Sequence, residues 1–240
     1  MTRAHELADN LARVRGRIDA ACRAAGRDPA EVTLVAVTKT HPLSDVEVLA
    51  GLGLRHLAEN RDQEASDKAA RAFDQGLEVV WHFVGQVQTN KARSVASYAD
   101  VVESVDRVRL VQALSHAAVA AGRVLDVLVQ VSLDPRAHGE GRGGVPWDPA
   151  TRSLLDLADH AASAPGLRFA GLMAVAPLGA DPADAFARLA EARAAVTAEH
   201  PAATMLSAGM SGDLEQAIAY GSTHVRVGTA LLGARFAPVV

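Results

Sequence analysis

Cysteine is nearly absent: Cys22 stands alone among 240 residues, so no internal disulfide can form. That usage fits a reducing cytoplasm. Cys22 falls in a polar, helix-patterned segment, which points to a structural role rather than a catalytic one. Aromatic residues are scarce, at 4%. No apolar stretch approaches membrane-spanning length. The opening MTRAHELADN lacks the apolar core of a secretion signal, so a cytoplasmic protein is expected. Basic excess is also missing. The net charge is -4, which argues against nucleic-acid or membrane-surface partners, since those require a basic patch or stripe. No His/Cys/Asp/Glu set has metal-ligand spacing, and HExxH, CxxC, GxSxG and Walker patterns are all absent, so no metal site is expected.

What is present is a core-forming composition with a regular beat. Hydrophobic residues make up 49% and charged residues 22%. Residues 3–25 read as an amphipathic helix, with Leu7, Leu11, Val14 and Ile18 at three- and four-residue steps. Strand-like runs then alternate with helix-like ones. The strand candidates are 32–37, 55–58, 79–84, 101–103, 125–131, 167–173, 204–206 and 225–227. Several, such as VTLVAV, are apolar on both faces, as parallel strands covered by helices are. Eight β/α units with short connections predict one (β/α)8 TIM barrel spanning 1–240 with an extra N-terminal helix. A doubly wound open sheet is the rival. The Gly- and Pro-rich segment 133–146 reads as a mobile surface flap.

Barrel sites lie at the C-terminal ends of the strands. Lys39 ends the first strand. Position alone favours a solvated strand-end lysine, although burial there would lower its pKa and favour the nucleophilic amine. The loops after strands seven and eight, LSAGMSGD (206–213) and RVGT (226–229), offer hydroxyls and glycines just before helices. Ser211 is the expected N-cap of the helix that follows, and Gly228 would admit an anion closely. Two such adjacent loops suggest phosphate; two ordinarily capped helices would look the same. Arg226 alternates with Val225 and Val227, so it should face the barrel interior. There it needs a partner, either Glu59, Glu103 or an acceptor nitrogen of a heteroaromatic ring. His82 reads by itself as a satisfied structural histidine.

The stretches LVAVTKTHP (34–42), LAENRDQE (57–64), WHFVGQVQTNKAR (81–93), FAGLMAVAP (169–177) and the run from Leu206 to Arg235 carry a further signal. In them the sequence resembles the pyridoxal 5′-phosphate (PLP) homeostasis protein family, which is similar to the N-terminal domain of alanine racemase. The resemblance covers nearly the whole chain. It implies that Lys39 carries PLP as a Schiff base and that Arg226 faces the pyridine nitrogen. It further implies that Ser207, Ser211, Gly228 and Thr229 hold the phosphate and that Asn60 and His82 line the pocket. Two departures stand out: Gln86 occupies a position where the family more often has proline, and Arg142 one where it often has lysine.

The implied function is a monomer that buffers, stores or delivers PLP, with PLP-dependent apo-enzymes as expected recipients and no catalytic residue. Racemisation needs bases on both faces of a substrate, and neither Tyr98 nor Tyr220 is expected to supply the second. A PLP enzyme with weak amino-acid racemase activity is the alternative. A class I aldolase using Lys39 on a sugar phosphate is a third reading, which Arg226 fits poorly.

Overall fold

The computed structural model describes residues 2–134 and 144–233. The first helix, α1 (Arg3–Ala24), precedes the sheet. Nine strands follow in one sheet: β1 (Thr33–Val37), β2 (His56–Glu59), β3 (Val80–Phe83), β4 (Val101–Val105), β5 (Leu125–Ser132), β6 (Val145–Pro146), β7 (Leu167–Ala174), β8 (Met205–Ser207) and β9 (His224–Val227). All pairings are parallel. β1 pairs with both β2 and β9, and β4 pairs with β5, so the eight strands other than β6 close into a barrel. The open-sheet alternative is thereby excluded.

Helices α2 (Leu43–Gly51), α3 (Asp62–Asp74), α4 (Ala92–Tyr98), α5 (Val108–Ala120), α6 (Ser153–Ser163), α7 (Pro182–Glu199), α8 (Leu214–Ala219) and α9 (Thr229–Leu232) connect the strands and surround them. One apolar cluster runs from Phe83 through Val127 and Leu172 to Phe186, under α4 to α7. A second joins Leu7, Leu11, Val14, Ile18 and Cys22 of α1 to Leu214, Ile218 and Leu231. Cys22 is fully buried within it, in agreement with a structural role. α1 is also latched by polar contacts. Arg3 forks onto Asp45, Arg17 forks onto Glu215, and Asn10 Nδ2 donates to the carbonyl of Leu231 at 2.8 Å.

The expected flap differs at its end. Residues 135–143, including Arg142, lie outside the described residues, but Val145 and Pro146 form β6 against Val131 and Ser132. Proline is tolerated there because β6 is an edge strand.

The barrel interior is polar along one path. His82 donates from Nδ1 to Oε1 of Glu103 at 2.7 Å. A ring protonated at Nδ1 then accepts at Nε2 from His56 Nδ1, 2.9 Å away. The other oxygen of Glu103 accepts from Ser207 Oγ at 2.6 Å, and Arg226 Nη1 donates to the same hydroxyl at 2.6 Å. His224 completes a triangle of rings, with centroids 6.2 Å from those of His56 and His82. Burial is the largest single influence on Glu103 and would raise its pKa. His82, Arg226 and Ser207 together outweigh it and hold the carboxyl at about 2. Burial, reinforced by His82 and His56, pushes His224 down to about 4.

Both groups make stability depend on acid. His224 refuses in the fold a proton that it takes in the unfolded chain, so stability falls as the pH drops from about 6.5 towards 4. Glu103 adds stability that is complete above about 4.5 and is lost towards 2. Urea midpoints measured across pH should therefore fall in two overlapping limbs. His224→Gln should flatten the upper limb and Glu103→Gln the lower. A glycine gives a second check. Gly171 in β7 has φ +147, and a Cβ there would lie 1.9 Å from the carbonyl oxygen of Met205. Gly171→Ala should lower stability by about 2 kcal/mol or more in the same urea titration.

Candidate functional site

At the C-terminal ends of the strands lies a cavity of about 360 Å³. Lys39 and His41 reach it from the turn after β1, Asn60 from the end of β2, and Val84 and Gly85 from the end of β3. Met173 comes from β7 and Val175 from just past its end, Met210, Ser211 and Gly212 from the loop after β8, and Arg226, Gly228 and Thr229 from β9 and its end. The cavity thus gathers six of the residues expected from sequence: Lys39, Asn60, Ser211, Arg226, Gly228 and Thr229. His82 and Ser207 do not line it. Both are buried in the barrel interior, where they hold Glu103 and thereby Arg226.

Arg226 is 4% exposed. Its guanidinium spans three strands: Nη1 donates to Ser207, Nη2 donates to the carbonyl of Ala174 at 2.8 Å, and Oε2 of Glu103 lies 3.5 Å from Nη1. Of the partners considered from sequence, Glu103 is therefore the carboxylate, and it acts largely through Ser207. Glu59 is engaged elsewhere, with Thr38 and Lys68. A guanidinium has five N–H donors, so this arrangement fixes the group while leaving donor capacity towards the cavity.

The loop after β8 departs from expectation. Ser211 is not the N-cap of α8; Asp213 occupies that position. The carboxylate of Asp213 takes the amide of Met210 at 2.6 Å, which closes a turn and delays the helix to Leu214. The hydroxyl of Ser211 is thereby turned to the start of α9, where it accepts from the amide of Ala230 at 3.3 Å. The loops after β8 and β9 become one wall. Arg17 of α1 braces it by donating to the carbonyl of Ser211 at 3.0 Å.

Gly85 packs the opposite wall. A Cβ on it would lie 2.1 Å from the carbonyl oxygen of Asn60, so the ends of β2 and β3 can approach only with glycine there. Its own carbonyl accepts from Ser104 at 2.5 Å.

Sequence reasoning did not select His41. It is 5% exposed, and burial pushes its pKa down against the nearby Asp45. Its position two residues after Lys39, in the quoted TKTHP, was the available signal. His56 and His224 were also missed, because isolated histidines on three different strands carry no mutual spacing. Among the described residues no His/Cys/Asp/Glu group could hold a metal ion, and no helix is long and apolar enough to cross a membrane.

Comparisons with known proteins follow the geometry. Residues 9–236 match the family model described as alanine racemase, N-terminal domain. A pyridoxal phosphate homeostasis protein of Mycobacterium bovis is 46% identical, covering 97% of this chain and 94% of the relative. The protein of that name from Escherichia coli is 37% identical, covering 96% and 97%. Among solved structures, PipY of Synechococcus elongatus with PLP bound matches with a TM-score of 0.78 and 35% identity, over 95% of this chain and all of that one. An alanine racemase of Clostridium difficile shares the fold with a TM-score of 0.71 at 12% identity, and the match covers 58% of that chain. The chain belongs to the pyridoxal phosphate homeostasis protein family, built on the fold of the alanine racemase N-terminal domain.

Proposed function

We propose that this chain is a non-catalytic PLP-binding protein that holds the cofactor reversibly, tethered covalently to Lys39, and serves intracellular PLP homeostasis. One observation carries the reading: a primary amine, a buried guanidinium and two hydroxyl-bearing loops share one cavity. PLP presents an aldehyde, a pyridine nitrogen and a phosphate dianion, and the cavity offers a group suited to each. Lys39 supplies the amine. The hydroxyls of Ser211 and Thr229, with the backbone N–H groups around Gly212 and Gly228, suit phosphate. A Cβ at Gly228 would meet Val37 at 3.4 Å, an ordinary contact, so protein packing alone does not demand glycine there. Asn60 suits a polar substituent of the ring. His82 and Ser207 contribute from beneath by orienting Arg226.

When bound, PLP supplies an electron sink that is strong when its ring nitrogen is protonated. The residues here work against that. Arginine stays charged, so Arg226 would offer that nitrogen a donor without giving up its proton. Glu103 keeps that charge compensated within the barrel. Among the described residues, neither tyrosine is placed to serve as a second base. Tyr98 Oη donates to Asp62, and neither tyrosine lines the cavity. His41 does line it, from the same 38–41 turn that carries Lys39. These features support a holder more than a racemase. The expected mode of action is a cytoplasmic monomer that passes PLP to PLP-dependent apo-enzymes.

Protein mixed with PLP should turn yellow. Borohydride reduction followed by peptide mapping should then find the cofactor on Lys39, and Lys39→Ala should lose the visible band. Reduced PLP on another residue would overturn the assignment. Incubation with L-alanine should leave the enantiomer ratio unchanged; steady conversion that vanishes in Lys39→Ala would establish a racemase instead. Ser211→Ala and Thr229→Val should each weaken PLP binding about ten- to a hundredfold in an absorbance titration, because hydrogen bonds to a charged group contribute about 1.5–3 kcal/mol.

A further inference from the structure

Lys68 lies outside the cavity and has no part in the reading above, yet it is a lysine buried to 7% exposure. It sits on α3, and a buried ammonium needs partners for its three protons. It has three. Nζ donates to Oε1 of Glu59 at 2.7 Å, to Oε1 of Glu64 at 2.7 Å and to the carbonyl oxygen of Thr38 at 2.8 Å. Each carboxylate oxygen is also used a second time. Glu59 Oε1 accepts from the hydroxyl of Thr38 at 2.7 Å. Glu64 Oε1 accepts from the backbone amide of Thr40 at 2.6 Å. The cluster therefore grips the residue before Lys39 by its carbonyl and its hydroxyl, and the residue after it by its amide.

The gripped segment is under strain. The amide of His41 donates to the carbonyl of Thr38 at 3.0 Å, which makes 38–41 a tight turn with Lys39 and Thr40 as its central residues. Thr40 has φ +65, and it is the one non-glycine residue with positive φ among those described. The third position of a type II turn requires that conformation and is normally filled by glycine or asparagine. A β-branched residue there is strained and persists only where its surroundings enforce it. The bond from the Thr40 amide to Glu64 is such an enforcement, because it holds the peptide between Lys39 and Thr40 in one orientation. The cluster also tolerates a cost of its own: Oε2 of Glu59 is buried without a partner. That cost is consistent with a carboxylate kept for what its other oxygen fixes.

We propose that Lys68, acting through Glu59 and Glu64, is the positioning residue for Lys39, and that its buried ion cluster holds the strained 38–41 turn in the form that presents the Lys39 amine to PLP. The proposal rests on Lys39 being the tether. Loss of the cluster would let Thr40 relax, change the backbone angle at Lys39 and spread its amine over more positions. Affinity and the yield of covalent attachment should then fall while the barrel stays folded.

Glu64 permits the cleanest test, because its side chain is 25% exposed whereas that of Glu59 is 1% exposed. Glu64→Ala should raise the Kd for PLP about tenfold and lower the borohydride-trapped fraction on Lys39. Glu64→Gln keeps an acceptor oxygen and should recover most of both. Lys68→Met should show the larger loss. Adding Thr40→Gly, which removes the conformational penalty, should restore trapping in the Lys68→Met background; a purely structural role would give no such rescue. Hydrogen exchange on the PLP-free protein reads the clamp directly, as the Thr40 amide should be protected in the unaltered chain and exposed in Glu64→Ala. If unaltered protein gives no trapped PLP on Lys39, the tether assignment falls, and the exchange result still tests the clamp. Loss of Thr40 protection without any change in Kd or trapping would overturn the positioning role, as would unchanged protection in Glu64→Ala.

Discussion

A guanidinium buried inside a barrel dictates much of what surrounds it. Arg226 cannot shed its proton, so the interior must supply a counter-charge and acceptors or the fold would not tolerate it. Glu103, Ser207 and the carbonyl of Ala174 answer that demand from β4, β8 and β7. Glu103 is buried in turn and needs its own donors, which brings in His82, and His82 brings in His56. One charge at the cavity floor thus propagates a chain of satisfied polar groups through the barrel. The same chain fixes the arginine that would meet the cofactor ring, so folding and ligand recognition share one set of contacts.

The architecture was largely legible from pattern. Alternating apolar runs and helical periods located all eight barrel strands, because parallel strands under helices must be apolar on both faces. Observed strand limits such as Thr33–Val37 and Val80–Phe83 differ from the reading by a residue or so. Arg226 was legible for the same reason, since a charge between two buried valines violates the pattern and must be accounted for. The family resemblance pointed to the cofactor and to Lys39 as its candidate tether, which position alone would not have suggested.

What was not legible depends on contacts between distant segments. Nothing local marks Lys68 as buried, since a helical lysine four residues after a glutamate looks like a solvated surface pair. Its environment appears only once α3 packs over the end of β2. Ser211 was misassigned for a related reason. The S-x-D spacing permits either residue to cap the helix, and the bond from the Met210 amide to Asp213 decides for the later one. The resemblance grouped His82 and Ser207 with the cavity, whereas their side chains bond to Glu103 in the barrel interior.

The seam between β1 and β9 joins the first strand of the barrel to its last. Lys39 stands at the end of one and Arg226 and Thr229 on the other, so the cavity is assembled across the longest sequence separation in the sheet. During synthesis on the ribosome, a nascent chain could fold several β/α units and still lack any place for its ligand. The site exists only after the ninth strand has emerged and the ring has closed, and α1, latched to α8 and α9, then holds that last joint. Closure of this cavity is therefore a late event in the protein's own biogenesis, and a chain cut short anywhere before its final strand would lack the cavity however well the remainder had folded.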